Sequence, residues 1–510
     1  MSTNLGREFI EPLRAYTEAV FQRCAWTGTP LLADGINLGT GAPLEWEGAV
    51  PSNLACQMNF LRLLEGLAVT TGQQEYHARA DDWIGRALPL VRDPASDLLH
   101  WGGHTSYDLR AGQVLLGNHE LKCVYPHYAY LYRVDPQATR RFVEAFWQAH
   151  IWDWSSLLFN RHGEYESWDR SGLWRGEYKG GPLPIVENTA LSFINTGSDL
   201  ICAGALLHQL GGDSEPLQWA LHLLGRYDQI RHPETGLAGY QFNHREPCRV
   251  RESFKEPLGS RREINETTVV TNNVITTRYG RAAVAFLNLF AALGEKAGAP
   301  FRDLVVADLQ ALSRHAWDDS SGAFMPLLND GQRLDPGQSQ EGVGYCPPAK
   351  LQPVAANGLL FLAYARAFRL TGMEEFRGMA ATLAAAMGWG DLDRAVDFSG
   401  PVSPHTQDQW APAGQNDACA LFGLLDLHAA SGDQVLLQSA LSLGRRLLEV
   451  YSCDGFFRTG GGDQAHIDGA LPLALVHLAA ALDGGAEGLP AFYPNNTYFD
   501  PKIVIRRQAG

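Results

Sequence analysis

The chain is 510 residues long, 45% hydrophobic and 19% charged, enough apolar material for a large buried core, which excludes a disordered scaffold. Its 56 acidic and 41 basic side chains leave a formal net charge of -15. Such a balance repels nucleic acid and anionic membranes, so neither is an expected partner, and an acidic substrate needs a local basic pocket. Apolar residues then recur at helical spacing over residues 8–24, 53–72, 75–90, 119–133, 136–158, 188–211, 214–231, 279–297, 301–316, 354–371, 374–388, 415–430, 434–450 and 469–482.

Similar breaks separate partners within pairs of these segments: Thr71-Gly72-Gln73, Val134-Asp135-Pro136, Gly211-Gly212-Asp213, Gly298-Ala299-Pro300, Thr371-Gly372-Met373 and Ser431-Gly432-Asp433. Glycine closes one helix in the left-handed conformation, and Asp, Ser or Pro opens the next. Between pairs lie long stretches, near 91–118, 160–187, 232–278, 317–353, 389–413 and 451–468, rich in Gly, Pro, Trp, Tyr, His and Arg. An array of antiparallel helices with tight turns at one end and long, chemically varied loops at the other places a site at the loop end. The expected fold is all-α, an α/α toroid (barrel) of about seven helical hairpins forming one domain over 1–510, with a loop insertion near 232–278; an open helical solenoid is the alternative.

The loop-rich end carries the chemistry. Between Trp101 and Lys122, His104 follows Gly102-Gly103, where the backbone can approach a ligand closely. His119 and Glu120 are neighbours, so on a helix they point about 100° apart and only one faces a site; Glu120 is expected to open the helical run 119–133. Further on, Arg161 and His162 leave a segment rich in Phe and Trp. A guanidinium there suits paired hydrogen bonds to a carboxylate, whereas the blander reading is a cation at a helix C-terminus. The aromatics read as core, and a lone histidine as a hydrogen-bonded surface group. The 232–278 loop and the turn after it add Arg245, Arg249, Arg251, Lys255, Arg261, Arg262, Arg278 and Arg281. Interleaved glutamates make solvated ion pairs the default for most of them, with Arg278, at the loop's re-entry into a helix, set apart. Asp153, Asp169 and Glu187 are candidate carboxylates for glycoside hydrolysis, although no spacing marks an acid and a base. Nucleotide-binding glycine loops, HExxH and GxSxG are absent from the sequence.

Eight scattered cysteines without a CxxC pair read as free thiols. The amino-terminal segment has no apolar core of the kind a signal peptide carries. Together these lead to a cytoplasmic expectation, that of an enzyme finishing imported oligomers.

At Trp101-Gly102-Gly103-His104, His119-Glu120-Leu121-Lys122, Ala149-His150-Ile151-Trp152-Asp153-Trp154, Asn160-Arg161-His162-Gly163 and Thr277-Arg278-Tyr279-Gly280-Arg281 the chain resembles the family 2 polysaccharide lyases, pectate lyases of intestinal and plant-associated bacteria. The segments follow the family's order. The resemblance implies eliminative cleavage of polygalacturonate, its oligomers or a related uronic-acid glycan, with a divalent metal of the manganese type and Ni, Co or Mg as alternatives. It further implies His104, Glu120 and His162 as metal ligands, Arg161 as catalytic base and Arg278 as a contact to the substrate carboxylate. A guanidinium ordinarily stays protonated, so a base at Arg161 implies an alkaline optimum. A glycoside hydrolase of an α/α toroid acting on uronic-acid oligosaccharides is the alternative function.

Overall fold

A computed structural model describes residues 5–46, 48–115, 117–183, 190–242, 248–249, 263–264, 266–335, 351–398, 413–459, 462–485 and 487–496. The chain forms two compact units: Met1–Glu120 with Val124–Thr139 and Asn357–Gly510, and Leu121–Cys123 with Arg140–Ala356.

The first unit is a double layer of helices. α1 (Arg7–Arg23), α2 (Met58–Thr71), α3 (Glu75–Val91) and α4 (Tyr128–Val134) come from its amino-terminal part, and α5 (Pro136–His150) begins there. Numbered onward past the second unit, α9 (Gly358–Thr371), α10 (Glu374–Ala386), α11 (Ala413–Ser431), α12 (Gln434–Tyr451) and α13 (Ala470–Leu482) complete it. The inner helices α2 and α9 bury residues all round, as does α13. Partners such as α3 and α12 bury one stripe at helical spacing, Tyr76, Ala80, Trp83, Ala87 and Val91 on α3 and Leu436, Ala440, Leu443 and Leu447 on α12. α2 packs on α13, α13 on α11, and α11 on α9, while α1 also lies against α13. The first helix of the chain thus meets the last, and the all-α class stands as expected.

The second unit repeats the layering. α6 (Ile194–Gly211) is buried through most of its length and α7 (Ser214–Gln229) covers it with one face. A π-helical segment, Ile275–Ala282, leads into α8 (Ala283–His315), and both pack on α6. The expected break at Gly298 is made instead at Gly294, whose φ of 72° interrupts the run; Pro300 lies early in the following stretch. Elsewhere the expected breaks hold: Gly72, Gly212 and Gly372 cap their helices at φ 70°, 82° and 69°. Several helices start or stop short of expectation, α4 and α5 by the most. Residues 119–127 are not helical, because Cys123 takes φ 54° and Pro126 disfavours helix in the residue before it. α5 ends at His150, where the chain turns into the hairpin of β5 (Ile151–Asp153) and β6 (Leu158–Phe159).

Inside the first unit a polar network is sealed from solvent. Arg62, 1% exposed, donates from Nη2 to the carbonyls of Tyr125 (2.7 Å) and Pro126 (3.2 Å). Asp468 accepts the Asn59 N–H at 2.7 Å, and Asp34 accepts from the Asn53 N–H at 2.8 Å and from Gln57 Nε2 at 2.7 Å. Burial pushes both carboxyls up to about 7, against the pull of these hydrogen bonds, and pushes Arg62 down to about 10. A carboxyl raised in the folded state contributes stability that is complete below its unfolded pKa, near 4, and is lost as pH rises through about 7. Asp34→Asn keeps an acceptor and removes this slope. Between about pH 5 and pH 8 the wild type is expected to lose stability relative to that variant, on the order of a few kcal/mol, read from urea unfolding at both pH values.

Candidate metal centre and active site

In the first unit the backbone fixes a histidine against a glutamate. β2 (Pro51–Ser52), β3 (Ser106–Asp108) and β4 (Gln113–Leu115) form a small antiparallel sheet, with Ser52 opposite Tyr107 and Ser106 opposite Leu115. The loop just before β3 carries His104. There Gly102 adopts φ 100°, a conformation that suits glycine alone, and pairs in parallel with Glu120, the Gly103 N–H donating to the Glu120 carbonyl at 2.7 Å. On the far side a Cβ on Gly117 would stand 1.7 Å from the His104 carbonyl oxygen, so only glycine lets the two strands approach.

The outcome is His104 Nε2 at 2.9 Å from Glu120 Oε2, with the Glu120 side chain fully buried and His104 35% exposed. Glu120 therefore reaches the pair from a bridge in extended backbone, which corrects the expectation that it opens a helix. In extended backbone, neighbours point to opposite sides, which separates Glu120 from the equally buried His119. Two ligands at adjacent vertices of an octahedral ion with bonds of about 2.1 Å stand about 3 Å apart. The spacing, the covered carboxylate and the half-open imidazole thus fit a divalent cation, and the nitrogen–oxygen donor set fits one of borderline character.

In the second unit the β5–β6 hairpin delivers the other pair. His150, fully buried, donates from Nδ1 to the Asn160 carbonyl at 2.8 Å, and the Asn160 N–H donates to the His150 carbonyl at 3.1 Å. Asn160 Oδ1 accepts the His162 N–H at 2.9 Å, and the Arg161 N–H donates to the Leu191 carbonyl at 3.2 Å. Arg161 lies with its guanidinium carbon 5.4 Å from the centre of the Phe193 ring, and its Nε donates to His162 Nε2 at 3.3 Å. Phe193 stacks in turn on Tyr240 at 4.8 Å. His150 and Asn160, which sequence reasoning did not single out as positioning groups, shape this turn; both stand in motifs the sequence displays.

The remaining candidates serve the fold. Arg278 is 1% exposed, and Asp308 engages its Nε at 2.9 Å and Nη2 at 3.2 Å. Its Nη2 also donates to the Tyr227 carbonyl at 3.1 Å, and Asp308 pairs with Arg231 at 2.8 Å. A covered guanidinium held in this way forms a structural ion pair where the loop re-enters the helix through the π-helical segment. Asp153 and Asp169 close local turns. Burial raises Asp153 somewhat, but hydrogen bonds from Ser156 and Ser155 outweigh it and hold the carboxyl low. Ser171 does the same for Asp169. Neither is the proton-holding acid that glycoside hydrolysis requires. Arg245, Arg251, Lys255, Arg261, Arg262 and Glu187 lie outside the described residues.

Among curated proteins the chain is similar to a pectate disaccharide-lyase of Dickeya dadantii (strain 3937), 28% identical over 423 residues and covering 74% of each chain. Among solved structures it is similar to a cellobiose 2-epimerase from Bacillus thermoamylovorans B4167 (11% identity, 92% of this chain and 99% of that one, TM-score 0.45). A GH76 α-mannanase from Bacteroides thetaiotaomicron is also similar (8% identity, 93% and 95%, TM-score 0.46). The chain is a lyase acting on polysaccharides. It belongs to the family described as periplasmic pectate lyase, which matches residues 29–502. That description overturns the cytoplasmic expectation, and with it the picture of an enzyme finishing imported oligomers. Packing, rather than a reducing environment, can keep thiols free: Cys24, Cys56, Cys123, Cys202 and Cys419 are all buried.

Replacing Arg278 by Met tests its structural role. The variant is expected to lose about 3 kcal/mol of stability, since Asp308 would keep only part of its compensation, seen as a lowered unfolding midpoint. A substrate contact would instead raise KM at an unchanged midpoint.

Proposed function

We propose that this lyase cleaves polygalacturonate or its oligomers by β-elimination, with a divalent cation, Mn2+ foremost, held by one ligand atom each from His104, Glu120 and His162. The observation that carries the reading is the His104–Glu120 pair: a fully buried carboxylate oxygen 2.9 Å from a half-open imidazole nitrogen, the spacing and donor types of two ligands on one cation. When bound, such an ion neutralises the uronate carboxylate, on which the acidity of the sugar's C5 proton depends. Pectate as the substrate, with a disaccharide as product, is supported by the name of the Dickeya relative.

The chain's own part is to hold the sugar and move the proton. Arg161 accepts the C5 proton while the C4–O bond breaks and a C4–C5 double bond forms; the departing oxygen takes a proton from water. The Phe193 ring lies beneath Arg161, with the guanidinium carbon 5.4 Å from its centre, and holds the side chain in place. Use of His162 as a ligand through either ring nitrogen ends its acceptance of the Arg161 Nε–H, leaving that donor for the substrate's carboxylate.

An absorbance assay on polygalacturonate tests the proposal, since the unsaturated product absorbs in the ultraviolet. Chelation, Glu120→Gln and Arg161→Ala are each expected to cut the rate at least about a hundredfold, Mn2+ restoring the chelated enzyme alone. The rate should climb into the alkaline range, because only neutral arginine takes a proton. Reducing ends formed without new absorbance would sink the elimination reading, and a rate maximum near neutrality would remove Arg161 as the base.

A further inference from the structure

We infer that Asn53 is a positioning residue that sets the His104–Glu120 spacing through the backbone of Gly102. This rests on the metal-site reading above and extends it to a residue that no sequence motif marks. Asn53 follows β2, and its side-chain amide treats Gly102 as a strand would. Oδ1 accepts the Gly102 N–H at 2.9 Å, while Nδ2 donates to the Gly102 carbonyl at 2.6 Å and reaches the Thr105 carbonyl at 3.5 Å. One amide thus grips both sides of His104 in the chain. The amide is itself held: the Asn53 N–H is bound by Asp34 Oδ1, which also takes Gln57 Nε2, and Gln57 Nε2 reaches the Leu32 carbonyl at 2.9 Å.

The arrangement has a physical purpose. Gly102 sits at φ 100°, a conformation that persists only where its surroundings over-determine it. Gly102 is bound to Asn53 on one side and paired with Glu120 on the other. A shift of the Asn53 amide therefore moves His104 relative to Glu120. Asn53 is 5% exposed, and its amide bonds main-chain atoms of Gly102 and Thr105, so its effect on the pair runs through the main chain. Outer-shell hydrogen bonds that orient ligands typically change metal affinity about 10- to 100-fold.

The test measures Mn2+ binding to the folded chain by calorimetric titration, alongside the unfolding midpoint without metal. Asn53→Asp keeps the acceptor for the Gly102 N–H but loses the donor, and Asn53→Ala loses both. The Mn2+ dissociation constant is expected to rise about tenfold in the first and up to about a hundredfold in the second, in protein that remains folded at the titration temperature. Should Asn53→Ala not fold, Asn53→Asp carries the comparison alone. Variants that are folded and bind Mn2+ as the wild type does, differing only in their midpoint, overturn the inference while leaving the metal site intact. A wild type that binds no more Mn2+ than Glu120→Gln overturns the metal reading, and this inference with it.

Discussion

A carboxylate with no exposed surface is the constraint on which the first unit's site depends. Glu120 is fully covered, and its Oε2 lies 2.9 Å from Nε2 of the His104 imidazole. A buried anion is tolerated only with close, well-oriented partners, so the backbone on both sides must be exact in its placement. The pairing of Gly102 with Glu120 and the close approach of Gly117 to the His104 carbonyl supply that placement. Gly102 holds a φ that suits glycine, and a Cβ on Gly117 would collide with the His104 carbonyl.

The same economy of backbone groups runs through the interior. Buried polar side chains in the first unit bind main chain: Arg62 holds the carbonyls of Tyr125 and Pro126, Asn59 Nδ2 donates to the Asp468 carbonyl while Asp468 accepts the Asn59 N–H, and Asn53 holds Gly102. In the second unit His150 and Asn160 do this for the turn that carries Arg161 and His162. Paired helices supply a rigid frame, and these bonds fasten irregular loops to it. Loops that present chemistry are thereby held as firmly as helices, which is what precise catalytic geometry requires.

Ion pairs divide along the same line. Arg278, Arg231 and Asp308 compensate one another under cover, whereas Arg161 lies partly open over an aromatic ring with its Nε on a histidine. The first arrangement satisfies its charges with protein groups and has structural value. The second keeps a guanidinium within reach of solvent, where a carboxylated sugar could meet it. Asp153 and Asp169 show the parallel division among carboxylates, each held low by the serines of its own turn.

The sequence by itself determined the helical pairs, because 3.6-residue periodicity and glycine caps are local properties; Gly72, Gly212 and Gly372 stand where the breaks were read. It also displayed His104, Glu120, Arg161 and His162 in segments that resemble one lyase family. Periodicity alone could not show that residues 119–127 are not helical, although Pro126 marked it, nor that α5 stops at His150 and gives way to a hairpin. Only the tertiary structure decided that Gly102 pairs with Glu120, that Asn53 reaches across 49 residues to hold that loop, and that Arg278 turns inward to Asp308. Hydrogen bonds between distant segments and the burial of a charge depend on which surfaces meet, and no local pattern of residues encodes that meeting.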